Sequence, residues 1–320
     1  MRGLSTPLIA ALLTVYAVWG STYYAIQLVV DELPPLGAGG FRYLAAGLCF
    51  LGLAAWRREL PGLAAVIPAA RAGVPMIACG TALVFVAQQS VPSGHAALVM
   101  ATTPAQFVFW AWALGGPRPS VRVVVGLVFG FLGVACLGGG PQGAIDPLGL
   151  GLLLFASTSW ALGSLQLRSP EIPEGPGGLG LVFALGGVAA LVLSVLRGEA
   201  FVDPASVSLS AWAALAYLVV FGCLLAGTAY AWLLRNAPVR VASSYAYVNP
   251  IVAVGLGAVL LGEPLGSRVV VAAVLVCAGT VLVLFGHGSH SSASSSASAA
   301  RRCSSSSRAL RDASSNFVSS

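Results

Sequence analysis

Residues 96–140 and 242–286 carry one pattern twice. Pro104 pairs with Pro250, Gly116 with Gly262, Arg122 with Arg268 and Gly133 with Gly279, all at a constant offset of 146 residues. Val123-Val124-Val125 returns as Val269-Val270-Val271, and Pro92 pairs with Pro238 in the same register. Gly80-Thr81-Ala82 matches Gly227-Thr228-Ala229 after a one-residue slip, and further upstream the match thins to Trp19 with Trp160 and Gln27-Leu28 with Gln166-Leu167. Stacked solenoids repeat every ~20–50 residues, so a period this long implies two structural halves. Both copies are apolar. Hydrophobic residues make up 58% of the chain and charged ones 8%, against about 25% charged in a soluble domain. Such a chain cannot cover itself with a wetted surface, and an apolar chain built twice has the plan of a transporter.

Ten apolar runs follow from the hydropathy pattern: Pro7–Val30, Gly37–Trp56, Ala72–Ser90, Ala96–Leu114, Arg122–Gly140, Pro147–Leu167, Pro176–Leu196, Ala211–Leu234, Ala242–Leu261 and Arg268–Gly286. Each is long enough to cross ~30 Å of hydrocarbon as a helix. Continuous runs exclude the alternating pattern of a membrane barrel. Prolines at Pro34-Pro35, Pro61, Pro117, Pro238 and Pro264 fit helix ends. The expected fold is therefore an all-α integral membrane protein of ten transmembrane helices, arranged as two inverted five-helix repeats.

Arginine placement gives the orientation. All sixteen basic residues are Arg. With the N-terminus inside, nine of them (Arg2, Arg57, Arg58, Arg71, Arg118, Arg122, Arg168, Arg235, Arg240) fall on the inner side and three (Arg42, Arg197, Arg268) on the outer. Cytoplasmic loops are enriched in basic residues, so both termini are expected in the cytoplasm. Five spans per half is an odd number, so the second half enters the membrane upside down. The expected units are residues 1–140, residues 141–286 and a Ser/Ala/Arg-rich disordered tail at 287–320. The N-terminus reads as a retained first helix, because no small-residue cleavage site follows Arg2. None of the six cysteines has CxxC spacing, so neither a zinc site nor a disulfide framework is indicated.

Polar side chains in hydrocarbon are costly and face a cavity or another helix. In the first run Tyr16, Trp19, Gly20, Tyr23 and Gln27 share one helix face. Thr81 and Gln88 lie in the third run, Thr103, Gln106 and Trp110 in the fourth, Ser157, Trp160 and Ser164 in the sixth, Thr228 and Trp232 in the eighth, Tyr245 and Asn249 in the ninth. From these we expect Trp19, Tyr23, Gln88, Thr103, Gln106, Tyr245 and Asn249 to line a substrate cavity. Each has a plainer reading as well: interface anchoring for aromatics, helix–helix bonding for amides and hydroxyls. Pro104 and Pro250 sit mid-run, where each frees a carbonyl one turn earlier and kinks or hinges its helix. Arg42 is the one charge well inside a run. It either snorkels to the outer edge or meets an anionic group of the substrate or a gate carboxylate, with Asp31, Glu32 and Glu263 as candidate partners. His95 is expected in a solvated outer loop. The fifth and tenth runs, poor in hydrogen-bonding side chains, are expected to be scaffold packed through small residues. No Asp or Glu lies mid-run, which favours facilitated diffusion or exchange over proton antiport. No metal-protease motif, no nucleotide loop and no Lys is present. No cofactor, metal or nucleic-acid partner is expected.

The chain resembles the EamA-type family of the drug/metabolite transporter superfamily. The residues that carry the resemblance are Trp19-Gly20-Ser21-Thr22, Phe41-Arg42-Tyr43, Pro250, Leu261-Gly262-Glu263 and Gly279-Thr280, within a span from about Leu8 to Phe285. Where that family often has a Gly-Glu pair after the fourth span, this chain reads Gly116-Pro117-Arg118. The resemblance implies a secondary transporter, an exporter or exchanger of small metabolites such as amino acids or related amphipathic compounds, in the bacterial inner membrane. Expected partners are a small-molecule substrate and membrane lipid, and the expected state is a monomer or weak homodimer. The competing reading is an integral membrane enzyme acting on a lipid-linked substrate. Such enzymes place acidic, His or Lys clusters at one membrane face, and no such cluster stands out here.

Overall fold

The structure, a computed structural model, describes residues 6–113, 115, 118–138, 146–167, 169–200, 202–237, 241 and 244–286. The expected tail at 287–320, the connector 141–145, Arg2, Gly116, Pro117, Arg168, Pro238, Arg240 and Ala242 lie outside the described residues. Among the described residues all regular structure is helical. In chain order the helices are α1 (Thr6–Val30), α2 (Pro35–Trp56), α3 (Leu63–Ala87), α4 (Ser93–Met100), α5 (Thr103–Ala113), α6 (Val121–Gly138), α7 (Pro147–Gln166), α8 (Pro176–Arg197), α9 (Leu209–Leu233), α10 (Tyr245–Leu260) and α11 (Ser267–Gly286). Six of them, α1, α2, α3, α7, α8 and α9, are long and apolar enough to cross a membrane. Shorter apolar stretches run over Val121–Cys136, Val248–Leu260 and Ser267–Leu282.

Three segments differ from the sequence expectation. The fourth run is not one helix: α4 ends at Met100, a turn covers Ala101 and Thr102, and α5 begins at Thr103. Pro104 is thus the second residue of a new helix, where a missing N–H leaves nothing unpaired. The Thr103 hydroxyl donates to the Met100 carbonyl at 2.5 Å, the carbonyl that Pro104 cannot serve. Pro250, by contrast, lies inside α10. The third helix begins at Leu63, well before the expected Ala72, so Arg71 belongs to the helix and not to a loop. His95 belongs to α4, where its Nδ1 is buried with no hydrogen-bond partner. The sequence had placed it in a solvated loop.

Both α3 and α9 contain an eight-residue π-helical stretch, Val74–Thr81 and Leu218–Leu225. The wider turn shifts the register of everything that follows and is frequent at functional sites.

Small residues let helix pairs approach backbone to backbone. Along α2 and α8, a Cβ on Gly187 would lie 2.5 Å from the Leu44 nitrogen, and one on Gly47 would lie 2.5 Å from the Ala184 nitrogen. Along α6 and α11, a Cβ on Gly279 would lie 2.5 Å from the Gly126 carbonyl oxygen and one on Gly133 would lie 2.7 Å from Val276 Cγ2. The fifth and tenth runs do pack on each other through glycine.

Helix starts are tied by carboxylates. The Glu199 carboxylate accepts from the Leu36 and Gly37 amides at 3.0 and 2.9 Å, at the start of α2. Glu263 accepts from the Ser93 and Gly94 amides at 2.7 and 3.1 Å, at the start of α4. Glu32 accepts from the Ser208 amide at 2.6 Å and from its hydroxyl, just before α9. Asp146 caps α7 through the Leu148 and Gly149 amides and accepts from the Ser90 hydroxyl at 2.9 Å. These positions combine orphan N–H donors with the positive end of the helix dipole.

The loop carboxylates set an acid limit. The bonds from the Ser208 hydroxyl and amide hold Glu32 below the ordinary carboxylate range, and those from the Ser90 hydroxyl and the helix-start amides do the same for Asp146. A depressed folded-state pKa contributes stability above the unfolded value and loses it as pH falls through the folded value. The melting temperature in micelles should therefore be flat from pH 7 to about 5 and fall below about pH 4. A Glu32→Gln, Asp146→Asn double variant should show a shallower acid fall. A parent curve that stays flat to about pH 3 would contradict this.

Candidate functional site

A cavity of about 120 Å³ lies where α1, α2, α3, α7, α8, α9 and α10 meet the break between α4 and α5. On α1 the lining residues are Trp19, Thr22, Tyr23 and Ile26, spaced i, i+3, i+4, i+7 on one helical face. Arg42 and Tyr43 enter from α2, Thr81 and Val84 from α3, Met100 and Thr103 from the break. The far wall is Trp160 of α7, Phe183 of α8, Gly222, Cys223 and Gly227 of α9, and Tyr245 and Asn249 of α10.

Trp19 is the hub of the aromatic wall. Its ring centroid lies 4.9 Å from Tyr230, 5.0 Å from Tyr245 and 6.5 Å from Trp160, the last two edge to face. Edge-to-face pairs at these separations contribute ~0.5–1.5 kcal/mol beyond burial. The indole N–H donates to the Gly222 carbonyl at 3.1 Å, which ties α1 to the π-helical stretch of α9.

Of the residues expected around a cavity, the structure brings together Trp19, Tyr23, Arg42, Thr103, Tyr245 and Asn249. Gln88 and Gln106 are elsewhere. Gln88 is buried and donates to the Tyr23 carbonyl at 2.9 Å, bridging α3 to α1 from behind the cavity wall. Gln106 donates to the Ser157 hydroxyl at 2.9 Å and accepts from Thr158, which fastens α5 to α7. An amide has two donors and an acceptor to satisfy: Gln106 uses both ends between α5 and α7, whereas the Oε1 of Gln88 is buried with no hydrogen-bond partner. Tyr16 reaches Ser244, Gly20 packs against Val252, and Gln27 bonds Asp31 at the helix end. Of the α1 face read from the sequence, Trp19 and Tyr23 line the cavity, and Tyr16, Gly20 and Gln27 are not among its lining residues.

Arg42 does not snorkel. Its side chain is buried, its Nε donates to Cys223 Sγ at 3.2 Å, and its guanidinium carbon stands 5.0 Å from the Tyr43 ring centre. Asp31, Glu32 and Glu263, the carboxylates expected as gate partners, are engaged by Gln27, Ser208 and the start of α4. Asn249 presents a buried Oδ1 that has no hydrogen-bond partner. The site thus offers a cation, a free acceptor and an aromatic wall, a combination suited to orienting a small amphipathic molecule.

Sequence reasoning missed Tyr43, Phe183, Gly222 and Cys223. Cys223 sits in the run Leu218–Leu225, whose only non-aliphatic members are Phe221, Gly222 and Cys223, and nothing in that pattern announces a π-helix. Thr22 could have been found, since it lies one turn from Trp19.

The model of the EamA-like transporter family matches residues 6–139 and again residues 147–285. The uncharacterized inner membrane transporter YedA of Escherichia coli (strain K12) is 38% identical over 282 residues, covering 88% of this chain and 91% of that relative. The protein PecM of Dickeya dadantii is 26% identical over 272 residues, covering 83% of this chain and 88% of its own length. A crystal structure with 19% sequence identity superposes with a TM-score of 0.62 over 90% of this chain and all of its own, which shows a shared fold.

Proposed function

The chain belongs to the EamA-like transporter family, and from that premise we propose that it is a secondary carrier which moves a small amphipathic metabolite across the bacterial plasma membrane by alternating access. The observation that carries this reading is the composition of the cavity wall. Trp19, Tyr23, Arg42, Thr81 and Thr103 come from the first matched range, and Trp160, Cys223, Tyr245 and Asn249 from the second. A binding site shared by two halves is where a carrier of duplicated architecture holds its cargo. Two inverted five-span repeats are supported by the 146-residue offset, by the double family match and by the π-helical stretches at Val74–Thr81 and Leu218–Leu225. Exchanging the conformations of such halves exchanges inside for outside. Pro104, at the break, and Pro250, inside α10, are placed to hinge the segments that flank the cavity.

Coupling is to the substrate's own gradient or to a counter-substrate. The carboxylates Glu32 and Glu263 that could shuttle protons are bound to helix starts. In proteoliposomes a panel of amphipathic metabolites should equilibrate without accumulating under an imposed pH gradient of either sign. Accumulation that reverses with the gradient would replace this coupling with a proton-driven one. Conversion of a compound without flux would favour the membrane enzyme instead. With both termini cytoplasmic, a thiol at Ala205→Cys should label from outside in a background lacking other cysteines, and one at Glu171→Cys only after permeabilisation. Labelling of both from one side would refute the topology.

A further inference from the structure

We propose that the cargo carries a carboxylate, and that the Arg42 guanidinium holds that carboxylate in the central cavity. This deepens the carrier reading and rests on it for transport, though not for binding.

Arg42 is 4% exposed, yet its contacts are a thiol sulfur and the face of a tyrosine. Neither carries a charge. Among the described residues no carboxylate comes within ion-pair reach. Asp31, Glu32, Asp146, Glu199 and Glu263 each accept hydrogen bonds from other groups. Burying a cation carries a desolvation penalty that persists after relaxation. A desolvated cation–π contact returns only part of it, and a thiol acceptor returns less than a carboxylate would. The deficit favours an incoming anion. A guanidinium presents paired N–H donors that match a carboxylate edge to edge.

The surroundings keep that fork accessible. Position 222 is glycine, and a Cβ there would stand 2.8 Å from Arg42 Nη2. Both residues line the cavity. The remaining walls define the rest of the molecule. Trp19, Trp160 and Tyr245 offer ring surface to an apolar tail, and the Asn249 Oδ1, buried without a partner, offers an acceptor to one donor group. A small monocarboxylate with an aromatic or branched tail fits, and so does an α-amino acid, whose ammonium would serve Asn249.

The test is calorimetric titration of the purified full chain in nanodiscs with a matched pair, 3-phenylpropionate and 3-phenylpropionamide, followed by phenylalanine. The carboxylate should bind at least tenfold more tightly than its amide. Arg42→Gln should abolish that preference, and Arg42→Lys should keep only part of it, since an ammonium cannot make the paired contact. Equal affinity for the pair in the parent, or no measurable binding of any of the three probes, overturns the proposal. So does a preference that survives Arg42→Gln. If the Gln variant does not fold, the comparison within the parent decides. Flux of uncharged panel members with no carboxylate preference would sink the assignment of Arg42 while leaving the carrier intact. Tight carboxylate binding with no flux would do the reverse.

Discussion

Gly187→Val should leave almost no folded, monodisperse protein. The α2–α8 contact is made between backbones: a Cβ at Gly187 would lie 2.5 Å from the Leu44 nitrogen and 2.8 Å from the Gly40 carbonyl oxygen. Neither atom is the end of a flexible side chain, so the helices must separate. Overpacking a tight core costs ~1–3 kcal/mol where side chains can shift, and more where backbone must. Separation would also open the neighbouring contacts at Gly40 and Gly47. Against a total stability of about 5–15 kcal/mol for a typical domain, that is a large loss. Gly52→Val is the control. It lies on α2, the partner helix of that contact, nothing stands within 4 Å of its Cβ position, and it should express and melt like the parent. Size-exclusion profiles and melting curves of the two variants decide the matter. A monodisperse Gly187→Val protein with a parental melting temperature would show that the helices do not meet as described.

Trp19→Ala should lower carrier flux by more than tenfold while the protein still reaches the membrane. The indole joins Trp160, Tyr230 and Tyr245, and its N–H holds the Gly222 carbonyl. A fully buried Trp→Ala change costs ~3–5 kcal/mol. Trp19 borders a cavity already, so less packing is lost and folding should survive. What disappears is the wall against which an apolar tail rests and the tether to the π-helical stretch. A loss of about 1.4 kcal/mol in the bound state is already tenfold. Trp19→Phe should fall between, since it keeps ring surface and loses a hydrogen bond worth ~0.5–1.5 kcal/mol. If Trp19→Ala folds and transports like the parent, the cargo passes elsewhere.

Much of the helical framework was readable because hydrocarbon imposes long apolar runs, and α1, α2, α7 and α8 start and stop close to where those runs do. What the runs could not show was interruption. The break before Pro104 is invisible to hydropathy, since Ala101 and the threonines around it differ little from their neighbours. Its signal was local: Thr102-Thr103-Pro104, with the Thr102 hydroxyl on the Val99 carbonyl and the Thr103 hydroxyl on the Met100 carbonyl that Pro104 frees. The cavity face of α1 runs through Trp19, Thr22, Tyr23 and Ile26 and leaves out Gln27, whose Nε2 donates to Asp31 at the helix end while its Oε1 is buried without a partner. Gln88 and Gln106 are buried as expected, but burial of an amide does not say whether a ligand or another helix receives it. The role of Glu263 was legible only in three dimensions, because Ser93 and Gly94 lie about half the chain away.

Alternating access through a cavity shared by the two halves is most directly tested by trans-acceleration. Proteoliposomes are loaded with unlabelled substrate, and the initial uptake rate of labelled substrate is compared with that of empty vesicles. A carrier whose loaded site reorients faster than its empty one should take up label several-fold faster into loaded vesicles, saturably, and Trp19→Ala should abolish the difference. Uptake that is non-saturable and indifferent to internal substrate would describe a pore or a leak, and would contradict the account.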